Sequence, residues 1–398
     1  MIQFTILFIF FILHILFFLN YFLFGITYSE FFGIQNSYSF DSEIAFKTFT
    51  YATISLISIA IGLYSNKFLK FKAYKNTLGG DIYNTTSFKL FAIFCTSIAI
   101  FNAFSIVIDQ IGYNLAASLR SNKTTLDAIL YEMRYITLIY ISYNLLNYRI
   151  KDLLKSKTKT YTIIISIIYL ISCLILKTRS IIFELGFVYI YAFLIWDKNK
   201  IKFKYIIYLI AASIIPNIML LFRVDLFRLN FGEIVSSIFK YEYPLTLANL
   251  ISANISGDGL SVITEGYTFL SKLYILVPSF LRNIFDIQGG DSLYYFLVQE
   301  LAGARMGGFS FIGELYTNFA EFSYLILFLF GLLIARMISI NYENLGSSSI
   351  IAATYPLIIS NFILSLRNDI FPFIKITIYL LLIAVLMKFI SQIKILKL

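Results

Sequence analysis

Tyr324-Leu325-Ile326-Leu327-Phe328-Leu329-Phe330-Gly331-Leu332-Leu333-Ile334-Ala335 runs for twelve residues without a charge or an amide. A half-buried strand alternates apolar and polar positions, and a soluble surface helix keeps one polar face. This run does neither. It closes a largely apolar stretch over 311–335, and about 20 apolar residues are enough to cross roughly 30 Å of hydrocarbon. Nine more stretches meet the same criterion: 2–24, 45–64, 88–108, 128–146, 161–177, 180–196, 205–222, 348–366 and 371–390. The sequence therefore predicts an all-α polytopic membrane protein of about ten transmembrane helices. The runs are continuous, which excludes an outer-membrane barrel, whose strands alternate.

Composition agrees. Of 398 residues, 59% are apolar or aromatic, against roughly 45–50% in soluble domains. Only 14% are charged, about half the usual roughly 25%, and the mean hydropathy is +0.81. Length alone would suggest two or three soluble domains, whereas this composition predicts one transmembrane domain over 1–398. Disordered, collagenous and disulfide-stapled chains are excluded on the same grounds. The two cysteines, Cys95 and Cys173, sit inside apolar runs with no metal-ligand spacing. Residues 1–24 carry no basic segment and no small-residue cleavage site, so they are expected to stay as the first span.

The net charge of +10 invites a nucleic-acid reading, but the placement of the charges opposes it. Lys67, Lys70, Lys72 and Lys75 lie between apolar runs, as do Arg149, Lys151, Lys155, Lys157 and Lys159, and again Lys198, Lys200, Lys202 and Lys204. Lys388, Lys394 and Lys397 close the chain. Such clusters beside spans mark cytoplasmic loops. Alternating ten spans from a cytoplasmic N-terminus puts every cluster, and the C-terminus, on that side. Residues 25–44, 109–127 and 223–310 then face outward. The last of these, between spans seven and eight, is a large extracytoplasmic loop expected to hold amphipathic or re-entrant helices. A structureless loop of that length is unusual, which points to function.

Two constellations can carry chemistry. Lys177-Thr178-Arg179-Ser180 joins spans five and six at the outer face. Thr178 can cap the following helix, leaving Arg179 where backbone N–H groups and the dipole favour an anion, and a guanidinium grips phosphate bidentately. Glu184 follows roughly 7–8 Å deeper at 1.5 Å per residue. Interfacial snorkelling of Arg179 and helix pairing of Glu184 explain the same residues. In the second, Gly307-Gly308 precedes Phe311-Ile312-Gly313-Glu314-Leu315-Tyr316-Thr317-Asn318, with Glu321 beyond. Glu314, Asn318 and Glu321 stand at i, i+4 and i+7 and are expected on one helical face, turned from lipid toward a cavity or a packing seam. A partly desolvated carboxylate there suits proton abstraction. Arg305 can reach the same cavity from the loop.

Arg223 and Arg228 open the long loop and fit either a lipid phosphate or headgroup anchoring. Arg367, with Asn368 and Asp369, forms the outer turn between spans nine and ten, where a local Arg–Asp pair also fits. His14 is the only histidine and lies mid-span, which removes a Ser-His-Asp triad and a histidine metal site. No P-loop, dinucleotide fingerprint or HExxH motif occurs. The cytoplasmic loops are too short for a nucleotide-sugar domain, so any reaction is expected outside, on a lipid-linked substrate.

This layout resembles the bacterial oligosaccharide repeat-unit polymerases, the O-antigen polymerase (Wzy-type) family. The residues that carry the likeness are Thr178-Arg179-Ser180, the Pro278 region, and Gly307 to Phe319 with its Gly-Gly-x-Ser-x-x-Gly-Glu-x-Tyr-x-Asn-Phe pattern. Some members carry glycine eleven residues after an outer-loop arginine. None of Arg179, Arg223, Arg228, Arg282 or Arg305 does.

The resemblance implies glycosyl transfer at the extracytoplasmic face of a bacterial inner membrane, with undecaprenyl diphosphate as leaving group. Donor and acceptor are both lipid-linked oligosaccharides, and a chain-length regulator protein is an implied partner. Arg179 and Arg305 are implied to bind diphosphate and Glu314 to take the hydroxyl proton, with Tyr316 and Asn318 lining the sugar site. No cofactor or metal is implied. A ligase that transfers finished chains, and a flippase for lipid-linked sugars, remain alternatives.

Overall fold

The computed structural model describes residues 42–65, 86–109, 133–149, 153, 157–175, 179–196, 276–277, 285, 311–365 and 370–392. Among them the chain is almost entirely helical, without strands. In order, the helices are α1 (Ser42–Ser65), α2 (Thr86–Asp109), α3 (Arg134–Asn147), α4 (Lys157–Ile175) and α5 (Arg179–Trp196). They continue with α6 (Phe311–Phe319), α7 (Ser323–Glu343), α8 (Tyr355–Leu364) and α9 (Ile370–Gln392). Short 3-10 turns, Ala320–Phe322 and Ala352–Thr354, join α6 to α7 and lead into α8. The stretches expected at 2–24 and 205–222, and nearly all of the 223–310 loop, lie outside the described residues.

The core is built around α3, every residue of which is buried. It is packed by α2, α4, α5 and α9 and by the turn at Ala352–Thr354. Being enclosed all round, α3 has to satisfy its polar side chains inside the bundle. Thr137 meets Thr96 of α2 at 2.9 Å, and Asn144 back-bonds to the Tyr140 carbonyl. The longest pairing is α1 against α7. Gly62 and Gly331 sit at their crossing, where a Cβ on either would run into backbone of the other helix.

One end of the bundle is closed by a polar latch. The Trp196 indole N–H donates to the Leu145 carbonyl at 2.8 Å, and the Gly346 N–H donates to the Leu146 carbonyl at 3.1 Å. Asn147 both donates to the Ser348 carbonyl at 3.2 Å and accepts from the Ser348 N–H at 2.8 Å. Asn341 donates to the Tyr191 hydroxyl at 3.1 Å, and the Arg149 guanidinium lies 5.4 Å from the Trp196 ring centroid. These bonds bring the C-terminal ends of α3, α5 and α7 together.

Apolar side chains also cover the outside. Ile57 and Ile61 on α1, Phe94 on α2, Ile167 on α4, Leu329 on α7 and Leu382 on α9 are each more than half exposed. Among the described residues, two helical segments are long and apolar enough to cross a membrane: Ala320–Glu343 and Phe373–Ile390.

Two expectations are corrected. The stretch 311–335 is not one helix. It breaks at Ala320, whose φ of +46° is left-handed, and Phe319 before it leaves helical geometry. The Tyr51 hydroxyl bonds both the Ile312 carbonyl and Ser323 Oγ, so those atoms lie no more than about 6 Å apart by the two bond lengths. A straight helix would separate residues 312 and 323 by about 16 Å. The segment therefore doubles back. Likewise, 348–366 is helical only from Ala352. Ser347 and Ser348 bond the Asn344 carbonyl, which holds the preceding turn, and Pro356 in the first turn of α8 fits a helix start.

Candidate functional site

The end of the bundle remote from the latch gathers α6, the C-terminus of α8 and the N-terminus of α9. The Phe311 N–H donates to the Ser365 carbonyl at 3.2 Å, tying the start of α6 to the end of α8. The first residue of α9, Ile370, donates its N–H to Glu314 Oε2 at 3.1 Å. The initial N–H groups of a helix lack intrahelical acceptors, and a carboxylate there is favoured by both hydrogen bonding and the dipole. Glu314 thus caps α9 from another helix, and it is fully buried.

Asn318, 2% exposed, donates to the Glu314 carbonyl at 2.7 Å. Tyr316 packs its ring 4.3 Å from that of Tyr51, which in turn lies 5.4 Å from Tyr324. Ser323, at the start of α7, and Tyr51, on α1, complete the frame under α6. Because Tyr51 has one proton and gives it to the Ile312 carbonyl, Ser323 donates to Tyr51. The expectation that Glu314, Asn318 and Glu321 share a face is corrected. The first two are buried, and Glu321 is exposed, because the break at Ala320 ends the helical register before it.

Glu184 on α5 is 1% exposed. Counted along α5 from Trp196 in the latch, it stands about 18 Å up at 1.5 Å per residue. Arg134, the first residue of α3, stands about 20 Å up from Asn147 by the same rise. Arg134 is also buried. Its Nη2 donates to the Tyr135 hydroxyl at 2.8 Å, and its guanidinium carbon lies 4.7 Å from that ring centroid. Two buried charged side chains therefore sit at similar depth, well away from the latch.

Arg179 opens α5 as expected, and its side chain lies outside the described residues. Arg223, Arg228, Arg305 and Arg367 lie outside them altogether. The structure thus buries Glu314 and Asn318 one turn apart on α6 and packs Tyr316 against Tyr51 of α1. Sequence reasoning missed Tyr51, Ser323 and Arg134. Only Arg134 gave a signal, as a cation within the predicted span 128–146.

Comparison with protein families, with curated proteins and with solved structures finds no match to the chain.

Proposed function

We propose that this chain is a ten-span inner-membrane glycosyltransferase that polymerises polyprenyl-diphosphate-linked oligosaccharide units at the extracytoplasmic face. The observation that carries this reading is Glu314, a carboxylate fully buried where three helix ends converge. Ionisable groups inside an apolar helical assembly are costly and are retained mainly for function. Apolar side chains over the outside of the bundle suit lipid better than water, and the lysine clusters set the orientation.

In the reaction, the acceptor sugar hydroxyl oxygen bonds to the donor's anomeric carbon as the bond from that carbon to the diphosphate oxygen breaks. The bonding pair leaves with the diphosphate, and the hydroxyl proton passes to Glu314. Arg179 and Arg305 neutralise the departing charge, the kind of electrostatic support that dominates such steps. Arg223, Arg228 and Arg367 hold lipid phosphates, and Glu184, Tyr316 and Asn318 belong to the sugar-binding side. Bringing two lipid-held substrates into one cavity supplies the proximity contribution. Since Glu314 is enclosed, substrate binding has to tilt α6 about Ala320 to present the carboxylate.

Deleting the gene and resolving surface polysaccharide on a gel tests the reading. Single repeat units on the final acceptor, with no ladder, are expected, and Glu314→Gln or Arg179→Ala at normal abundance should match the deletion. Complete absence of attached units would mark a ligase, and units stranded inside a flippase. A wild-type ladder from both substitutions would remove the site assignment.

A further inference from the structure

Among the hydrogen bonds that tie α6 to its surroundings are Phe311 N–H to the Ser365 carbonyl, Ile370 N–H to Glu314, and the Tyr51 hydroxyl to the Ile312 carbonyl. The third differs in kind. Tyr51 comes from α1, and its hydroxyl also bonds Ser323 Oγ at 3.0 Å. It therefore bridges the two limbs of the reversal, one residue inside α6 and one at the start of α7. The reversal itself is unfavourable, because Ala320 sits at a left-handed φ of +46° that L-residues with a Cβ adopt reluctantly. Something has to hold the limbs together, and the Tyr51 hydroxyl touches both. Its ring packs on Tyr316 and lies close to Tyr324, and it is 4% exposed, so the bridge is shielded from competing water.

We propose that Tyr51 is a positioning residue: its hydroxyl sets the angle of α6 and thereby holds the Glu314 carboxylate against the N-terminus of α9. Glu314 follows Ile312 by two residues, so a tilt that lengthens the Tyr51 bond displaces the carboxylate from the Ile370 N–H. The geometry stands by itself, while its consequence for turnover rests on the glycosyl-transfer reading above. On that reading, Tyr51 sets the resting position from which α6 tilts to meet substrate.

The test uses full-length protein in detergent, with Cys95→Ala and Cys173→Ala as background. Two single reporters, Leu315→Cys on α6 and Ser360→Cys on α8, replace residues exposed by 1% and 0%. N-ethylmaleimide labelling of a buried cysteine reads how often its surroundings open. Tyr51→Phe keeps the ring and removes both hydrogen bonds. It is expected to accelerate labelling at position 315 roughly tenfold, as two modest bonds imply, and to leave position 360 unchanged. Ser323→Ala removes one of the two bonds, and about a threefold acceleration at 315 is expected.

Unchanged labelling at 315 in Tyr51→Phe overturns the proposal, and so does equal acceleration at both reporters, which would mean general loosening. The polysaccharide ladder separates the two claims. A local shift at 315, with a wild-type ladder from Glu314→Gln, keeps Tyr51 as the positioning residue and removes the reaction. Loss of the ladder in Glu314→Gln, with no change at 315 in Tyr51→Phe, removes the proposal and keeps the reaction.

Discussion

Replacing Gly331 by alanine tests the α1–α7 crossing on which the frame beneath α6 depends. A Cβ at position 331 would fall inside the Ile59 carbonyl oxygen and 3.1 Å from both the Ile59 carbonyl carbon and the Leu63 amide nitrogen. At Gly62 the obstruction is the Phe328 carbonyl oxygen, with the Leu332 nitrogen 2.9 Å away. All of these atoms are backbone, so no rotamer change clears them and the helices have to separate by about 1 Å. A gap of that size forfeits roughly a quarter to a half of the dispersion attraction across the contact, and overpacking of this kind costs about 1–3 kcal/mol. Alanine returns up to about 1 kcal/mol in helix propensity, so the middle of that range leaves a net loss of roughly 1 kcal/mol. Thermal unfolding in a fixed detergent measures it. Gly62→Ala combined with Gly331→Ala should lose less than the two singles added, because one separation relieves both clashes. Gly186→Ala is the control: nothing lies within 4 Å of its Cβ, and a gain of about 0.5–1 kcal/mol is expected. A Gly331→Ala protein as stable as wild type would refute the close approach of α1 and α7.

Ala320→Gly relieves the left-handed backbone at φ +46° and should raise stability by roughly 0.5–1 kcal/mol in the same melts. Asn147→Ala strands the buried Ser348 N–H and should cost roughly 2–3 kcal/mol. Trp196→Phe removes the bond to the Leu145 carbonyl, weakens stacking by Arg149 and shortens the ring, and should cost about 1–2 kcal/mol. At Glu314 two substitutions separate structure from chemistry. Glu314→Gln keeps an acceptor for the Ile370 N–H and should melt within about 1 kcal/mol of wild type while losing the polysaccharide ladder. Glu314→Ala orphans that N–H and should lose both.

Much of the helical layout was legible in the sequence. The runs 45–64, 88–108, 161–177, 180–196 and 371–390 correspond within four residues at either end to α1, α2, α4, α5 and α9. The backbone of a continuous apolar run has little option but to satisfy its own hydrogen bonds. The reversal at Ala320 was not legible. Alanine is the strongest helix former, the polar residues on either side of it, Asn318 and Glu321, are spaced for one continuous helical face, and the bonds that fold α6 back reach across 261 and 272 residues to Tyr51. Burial of Glu314 was expected from its charge and its i, i+4 relation to Asn318. Its role as a cap for α9, 56 residues on, depends on tertiary placement that spacing does not encode. The late start of α8 had local signals in Ser347-Ser348-Ser349 and Pro356, which the hydropathy of 348–366 outweighed.

The most direct measurement reconstitutes the purified chain in lipid nanodiscs with the lipid-linked oligosaccharide that accumulates in the deletion strain, and follows released polyprenyl diphosphate alongside product length. Release matched one for one by each added repeat unit is the predicted result, with Glu314→Gln producing neither. Substrate returned at its original length with no diphosphate released, by a wild-type protein that retains its melting transition, would contradict the account.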